Sequence, residues 1–279
     1  RNIVASIAPE FESAEIQRAS RAGGTDLSVW DLVMQARWHL GAYTRDSCAS
    51  AQRLLLEATT LDPRNVQAHS LLALSHWVQS LYNWGASREQ SVETALQAGR
   101  RAVSLDCGDA MAQAALGLAF IINRQHDEAI ETLTRAVQLN PNLALAHGWL
   151  GIAYTFACEF EPAVQAAAQA IQLSPRDLDK PFWMAILSWA DFFAGRYEEV
   201  LDKTQAILQE RPEFPAAHRQ RAAAFAMLGR QADAGNEIDE LMRLVPGLTV
   251  SHVRQQLPLK DPEVEARWLG ALRKAGLPE

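Results

Sequence analysis

Residues 110–143 read AMAQAALGLAFIINRQHDEAIETLTRAVQLNPNL, and residues 144–177 read ALAHGWLGIAYTFACEFEPAVQAAAQAIQLSPRD. The two stretches have the same length and carry the same residues at the same positions: Leu and Gly at 7 and 8, Ala at 20 and 27, and Pro at 32. Self-similarity at a fixed period indicates a repeat architecture. The many alanines and the few internal glycines favour helices.

The prolines extend this repeat along the chain. Pro141 and Pro175 are 34 residues apart, and Pro212 and Pro246 have the same spacing. Three residues are inserted between the two pairs, and Cys107 takes the place of a proline in a unit with ten inserted residues. We therefore predict six units, which are 32–65, 66–109, 110–143, 144–177, 181–214 and 215–248.

This pattern resembles the tetratricopeptide repeat (TPR) family, whose units pair two antiparallel helices. The resemblance implies an all-α fold, an α–α superhelix of about six helix–turn–helix repeats with capping helices at both ends. Small residues at positions 8 and 20 let the two helices of a unit approach closely, and the proline at position 32 ends the second helix. The first unit departs from the pattern because His39 stands at position 8.

The two ends of the chain lie outside the units. Residues 1–28 are predicted to form an N-terminal helix and a linker, and the start at Arg1 indicates a piece of a longer protein. Residues 249–279 are predicted to form C-terminal capping helices. In the last of these helices the residues predicted to face inward are Val264, Trp268 and Leu272, and those of the polar outer face are Glu263, Arg267, Arg273 and Lys274.

The composition excludes several classes of function. The net charge is −7 with no block of like charge, which argues against a nucleic-acid surface. The sequence has no apolar run long enough for a membrane-spanning helix. Cys48, Cys107 and Cys158 are far apart, and we predict small buried thiols in a reducing compartment. The expected location is the cytoplasm, and the expected partners include neither nucleic acid nor membrane.

No motif predicts catalysis, a metal or a cofactor. The sequence contains no HExxH, GxSxG, GxxxxGK[ST] or GxGxxG pattern. His69, His147 and His218 recur at position 4 of alternate units, where we predict helix packing because repeats this far apart cannot share one metal ion. We therefore predict that this chain is not an enzyme.

In TPR proteins, positions on the first helix of each unit line a concave groove. Here these positions are mostly apolar and aromatic, and they lack the Lys and Asn of the family's carboxylate clamp. An apolar groove predicts binding of an apolar helix or a neighbouring domain of a protein partner. The predicted groove residues are Leu118, Ile122, Trp149, Ile152, Phe156, Phe182, Trp189, Phe193 and Arg219. The alternative is that supercoiling or the terminal helices cover the groove.

The inserted residues 79–88 carry Tyr82 and Trp84. Exposed aromatic side chains on a loop are common in recognition, so these two residues are candidate contacts. The alternative is that they fold back over the neighbouring unit.

The ends of the chain show a narrower resemblance. The segments IVASIAPEFESAEIQRA, WDLVMQARWHLGAYT and DPEVEARWLGALRKAGLPE resemble the TPR region of bacterial multidomain proteins with an N-terminal class III adenylate/guanylate cyclase or winged-helix DNA-binding domain. The first hypothesis is therefore a non-catalytic regulatory and interaction module at the C-terminal end of a cyclase-type signalling protein. The alternatives are a homo-oligomerisation scaffold, such as a homodimer, and the TPR region of a winged-helix transcriptional regulator.

Overall fold

The computed structural model describes residues 28–42, 44–82, 84–85, 87–177 and 179–279. The predicted N-terminal helix, with almost all of the linker, lies outside these residues. The described part contains fourteen α-helices and no strand, so the all-α prediction is confirmed. The helices are α1 (Val29–Gly41), α2 (Arg45–Leu61), α3 (Val66–Leu81), α4 (Arg88–Leu105), α5 (Ala110–Ile122), α6 (His126–Leu139), α7 (Ala144–Phe156), α8 (Phe160–Leu173), α9 (Lys180–Phe193), α10 (Tyr197–Glu210), α11 (Pro215–Met227), α12 (Gln231–Leu244), α13 (Val250–Gln256) and α14 (Pro262–Ala275).

The chain divides into two compact units. Unit 1 contains the described residues up to Trp149 together with those of Ala170–Leu178, and unit 2 contains Leu150–Gln169 and Asp179–Glu279. In unit 1, α1 packs on α2, α3 on α4 and α5 on α6, and neighbouring pairs touch through α2 and α3 and through α4 and α5. In unit 2, α9 packs on α10, α10 on α11 and α11 on α12, and α14 lies along α11.

Local signals start most of the helices of unit 1. Ser28, Thr44, Asn65, Ser87 and Asp109 each accept a hydrogen bond from a backbone N–H in the first turn of the helix that follows. These first-turn N–H groups have no partner within the helix, so a side-chain acceptor stabilises the helix start.

Small residues allow close approach of helices in unit 1. A methyl group built on Gly117 would lie 2.5 Å from Cγ of Leu133 on α6, and one built on Gly99 would lie 2.9 Å from Cα of Leu116. Distances below 3.0 Å are essentially never observed for a real Cβ atom. The glycine at position 8 of unit 110–143 is therefore required by the packing of α5 on α6.

The turn between the two helices of a repeat requires a left-handed residue at one position. Arg124, Cys158, Gly195 and Gly229 have φ angles of 60°, 65°, 79° and 76°, and each is residue 15 of its predicted 34-residue unit. Only glycine adopts this region without steric cost. The left-handed position is thus a regular feature of these four turns, although two of them carry a side chain there.

We expect Gly229→Ala to lower the free energy of unfolding by about 1 kcal/mol, because the alanine Cβ makes the left-handed conformation unfavourable. A Cβ at this position would have no heavy atom within 4 Å, so the loss of stability would measure the backbone strain alone and no steric clash with a neighbour. Gly235→Ala, inside α12 and equally unobstructed, is the control and should stabilise by about 0.5–1 kcal/mol. Urea unfolding followed by circular dichroism measures both changes. Equal effects of the two substitutions would contradict the left-handed conformation of Gly229 as the cause.

The thiols occupy three different environments. Cys48 is buried and its pKa is raised to about 11 by burial, and Cys158 is half-buried. Cys107 is exposed, which corrects the prediction that all three thiols are buried. It stands in the turn between α4 and α5, where Pro63 and Pro141 of the equivalent turns are exposed as well.

Candidate functional site

The C-terminal segment, residues 249–279, packs within unit 2, where α14 lies along α11 and contacts α9 through its aromatic side chain. Thr249 accepts a hydrogen bond from the backbone N–H of His252 at the start of α13, and Asp261 does the same for Glu263 and Val264 at the start of α14. Gly276 ends α14 with a φ of 105°, a conformation that favours glycine. Capping thus defines a short helix, a connection and a longer helix.

Trp268 of α14 is the centre of an aromatic cluster. Its side chain is 0% exposed, and its ring centroid lies 4.9 Å from that of Trp189 and 5.0 Å from that of Phe192. Phe193 is 6.5 Å away, and Phe156 lies 6.3 Å from Trp189. Offset and edge-to-face contacts at these distances stabilise aromatic clusters beyond simple area burial. The inward orientation predicted for Trp268 agrees with this position.

Arg267, next to Trp268, binds the end of α9. Its guanidinium donates hydrogen bonds to the backbone oxygens of Phe193 (2.9 Å) and Phe192 (3.4 Å). The last carbonyl groups of a helix have no partner within the helix and carry partial negative charge, so an arginine satisfies them well. The same group lies 5.7 Å from the ring centroid of Phe193. Arg267 is exposed, as the sequence pattern predicted, but its side chain is also long enough to reach back to the end of α9.

Further polar contacts hold the C-terminal segment at several points. The backbone N–H of Lys260 donates to the oxygen of Phe156 (2.8 Å), and Gln231 donates to the oxygen of Lys274 (2.6 Å). Arg219 of α11 donates to the side-chain oxygen of Gln256 (3.4 Å). The segment is therefore fixed along α14, at the connection before it, and at α13.

The nine predicted groove residues fall into two groups. Six of them have side chains buried by their own chain, which are Leu118, Ile122, Trp149, Ile152, Phe156 and Trp189. Phe182, Phe193 and Arg219 are half-buried. Within unit 2, four of these residues are in contact with the C-terminal segment: Trp189 and Phe193 with α14, Arg219 with α13, and Phe156 with Lys260 in the connection between them. The partner-binding role of the nine residues stays a prediction.

The two aromatic residues of the insert stack on one another. The ring centroids of Tyr82 and Trp84 are 4.6 Å apart with an interplanar angle of 15°, and both side chains are half-buried. The backbone N–H of Trp84 donates to the oxygen of Gln79. The insert thus has an ordered aromatic pair at the end of α3, and its role in recognition stays a prediction.

The recurrent histidines make the same contact in three repeats. Nε2 of His69, His147 and His218 lies 3.1, 3.0 and 2.9 Å from the backbone oxygen of the residue six positions earlier, which is Pro63, Pro141 and Pro212 respectively. Each histidine therefore ties the first helix of a repeat to the preceding turn. Among the described residues, no group of three or more His, Cys, Asp or Glu is arranged to hold a metal ion.

His218 belongs to a half-buried charge network in unit 2. Its Nδ1 lies 2.7 Å from Glu237, and Arg221 also lies 2.7 Å from this carboxylate. Burial alone lowers the pKa of His218, but the hydrogen bonds to Glu237 and Pro212 outweigh it, so the pKa is raised. Burial opposes ionisation of Glu237 as well, yet the bonds from His218 and Arg221 hold its pKa below the ordinary value.

We expect the stability of unit 2 to fall as the pH rises through the raised pKa of His218. A raised folded pKa contributes stability that is fully present below the unfolded value of 6.5 and is lost above the folded value. His218→Gln should flatten the dependence of the unfolding free energy on pH between about 6 and 8, the range where histidine titrates. Glu237→Gln removes the charged partner and should flatten it too. Urea unfolding at several pH values measures this dependence. If both variants keep the wild-type slope of unfolding free energy against pH, His218 is not its cause.

The sequence of this chain was compared with protein families and with curated proteins. No protein-family model matches the chain. The protein named "Putative adenylate cyclase 3" of Rhizobium meliloti (strain 1021) is 27% identical over 129 residues, which are 46% of this chain and 22% of that protein. The match therefore covers only a minor part of the curated relative.

Three solved structures are similar over most of this chain. The APC/C hetero-tetramer Cut9–Hcn1 matches with a TM-score of 0.64 and 17% identity, over 84% of this chain and 43% of that chain. The TPR protein TTC0263 of Thermus thermophilus matches with a TM-score of 0.56 and 20% identity, over 71% and 99%. PilW, a type IV pilus biogenesis factor, matches with a TM-score of 0.56 and 16% identity, over 75% and 88%.

At these identities the likeness concerns the fold. Among the described helices, none has both the length and the apolar composition needed to cross a bilayer. The described helices pack in antiparallel pairs along the chain, and the TM-scores show that these structural neighbours share this fold. The described part of this chain has the tetratricopeptide-repeat fold.

Proposed function

We propose that this chain is a protein–protein interaction module at the C-terminal end of a bacterial nucleotide-cyclase-type signalling protein. The TPR fold supports an interaction module, and the similarity to a Rhizobium protein named as an adenylate cyclase supports the parent. The module itself is proposed to be non-catalytic and cytoplasmic, and cyclase activity is assigned to the preceding part of the longer protein.

The single observation that carries this proposal is that unit 2 already binds a helix. The face formed by α9 and α11 holds α14 through an aromatic cluster and through Arg267 of α14, whose guanidinium binds the carbonyl groups at the end of α9. A face with these properties is suited to an amphipathic helix that presents a large aromatic side chain. The partner class that the structure favours is thus a helix of another protein or of a neighbouring domain.

Binding of the chain to the upstream region of its parent, expressed separately, tests the proposal by isothermal titration calorimetry. We expect saturable binding that weakens in the Phe182→Ala/Phe193→Ala variant, because both side chains are half-buried and belong to the predicted groove. Leu61→Ala is the control, since Leu61 is 59% exposed on α2 of unit 1. The absence of binding, or equal binding by both variants, contradicts the proposal.

A second candidate is self-association through unit 1. Trp30 and Trp38 on α1 are 49% and 47% exposed, and Leu56 on α2 is 55% exposed. Large exposed apolar side chains are typical of association sites where they form a contiguous patch. Light scattering at increasing concentration separates the candidates, because a monomer at all concentrations excludes the second. A dimer that is lost in Trp30→Gln/Trp38→Gln supports it.

A further inference from the structure

Helix α14 is attached to unit 2 through one face only. Its buried side chains include Trp268, Leu269 and Leu272, while Glu263, Arg273 and Lys274 are exposed. An apolar stripe with a polar opposite side is the pattern of a helix that docks into a groove. The contacts of α14 are thus those of a bound amphipathic helix.

The helices that receive α14 have other partners. α9 packs on α10, α11 packs on α10 and α12, and α9 also touches α11. In a repeat array, stability comes mainly from contacts between neighbouring elements. The departure of α14 would therefore leave these helix–helix contacts in place.

One polar group inside the contact has no partner. Nε1 of Trp268 is buried without a hydrogen-bond acceptor, although the ring around it is closely packed. A buried donor without an acceptor loses its hydration and gains nothing in return. The packing of α14 is therefore less favourable than the aromatic contacts alone suggest.

We propose that the face formed by α9 and α11 binds an amphipathic helix of a partner protein that carries an adjacent arginine and tryptophan, and that α14 occupies this face until the partner displaces it. The inference rests on the proposed interaction function and specifies its site, its partner chemistry and its regulation. The arginine of the partner binds the carbonyl groups at the end of α9, and its tryptophan enters the cluster of Trp189 and Phe192.

The covalent link makes α14 a strong competitor. A tethered helix acts at an effective concentration of about millimolar, so a partner of equal intrinsic affinity is largely excluded. Weakening α14 removes this competition and raises the apparent affinity for the partner. Arg267 is the best position for weakening, because its side chain is exposed and its hydrogen bonds go to the end of α9 and to Tyr197 at the start of α10.

The test uses a fluorescent synthetic peptide with the sequence of residues 260–279 and the full chain. By fluorescence anisotropy we expect Arg267→Ala to bind this peptide about tenfold or more tightly than wild type, since hydrogen bonds of a charged group are lost from the competitor only. Arg273→Ala is the matched control, because Arg273 pairs with Glu279 within the C-terminal segment. Equal affinity of the two variants, or a dimer of Arg267→Ala that takes up no peptide, overturns the proposal.

Hydrogen exchange gives a second measurement. It uses the wild-type chain, so its result does not depend on whether a variant folds. We expect the amides of α14 to exchange through a local opening, at least tenfold faster than those of α11 in the EX2 regime. Exchange of both helices only through common global unfolding overturns the proposal.

The two proposals fail in different ways. Binding of the upstream region of the parent by wild type and Arg267→Ala with equal affinity supports the interaction function and overturns the displacement of α14. Tighter peptide binding by Arg267→Ala without any binding of the upstream region supports the displacement and removes the assignment of the upstream region as partner.

Discussion

Replacement of Trp268 by alanine is expected to lower the free energy of unfolding of unit 2 by about 3–5 kcal/mol. The indole is fully buried and contacts Trp189 and Phe192. Its removal leaves a cavity, because the rigid rings around it cannot all move in to close the space. The lost aromatic contacts add to the lost burial. Urea unfolding followed by circular dichroism measures the change without relying on tryptophan fluorescence.

Trp268→Phe is the matched control for this prediction. Phenylalanine keeps an aromatic ring in the cluster and removes the N–H group that has no acceptor. Its cost should therefore be smaller than that of alanine, because less buried volume is lost and the remaining cavity is smaller. A cost below about 1 kcal/mol for Trp268→Ala would show that the cluster contributes little to unit 2 and would contradict this account.

Replacement of Gly117 by alanine is expected to destabilise unit 1 by about 1–3 kcal/mol through overpacking. The new methyl group would lie 2.5 Å from Cγ and 3.1 Å from both terminal carbons of Leu133, so α5 and α6 must separate or Leu133 must leave its position. This cost exceeds the gain of up to about 1 kcal/mol that alanine brings to a helix. The measurement is again the free energy of unfolding.

A double-mutant cycle with Leu133 tests the cause of the Gly117 effect. Leu133→Ala alone creates a cavity, because Leu133 is fully buried. In Gly117→Ala/Leu133→Ala the added methyl group no longer meets the leucine, so the combined cost should be smaller than the sum by about 1–3 kcal/mol. Strict additivity would mean that Gly117 is required for a reason other than contact with Leu133.

Short-range patterns predicted the helices and their pairing because the contacts involved are local. Gly117 meets Leu133, only half a repeat away, and its small size was the signal for this approach. The contact of His218 with Pro212 had a signal as well, since a histidine six residues after the proline also occurs at His69 and His147. The left-handed turns were not predicted from the sequence. Position 15 is glycine in two units but Arg124 and Cys158 in two others, so no residue pattern indicated a positive φ there.

The amino-acid sequence by itself determined the all-α repeat fold, since a 34-residue period of small residues and prolines dictates paired helices. It also determined that the last helix has an inward face with Trp268. Only the tertiary structure decided what that face meets, because Arg267 and Phe193 are 74 residues apart and no local pattern encodes such a contact. The aromatic residues predicted to line a groove and the helix that covers part of them are brought together by long-range packing alone.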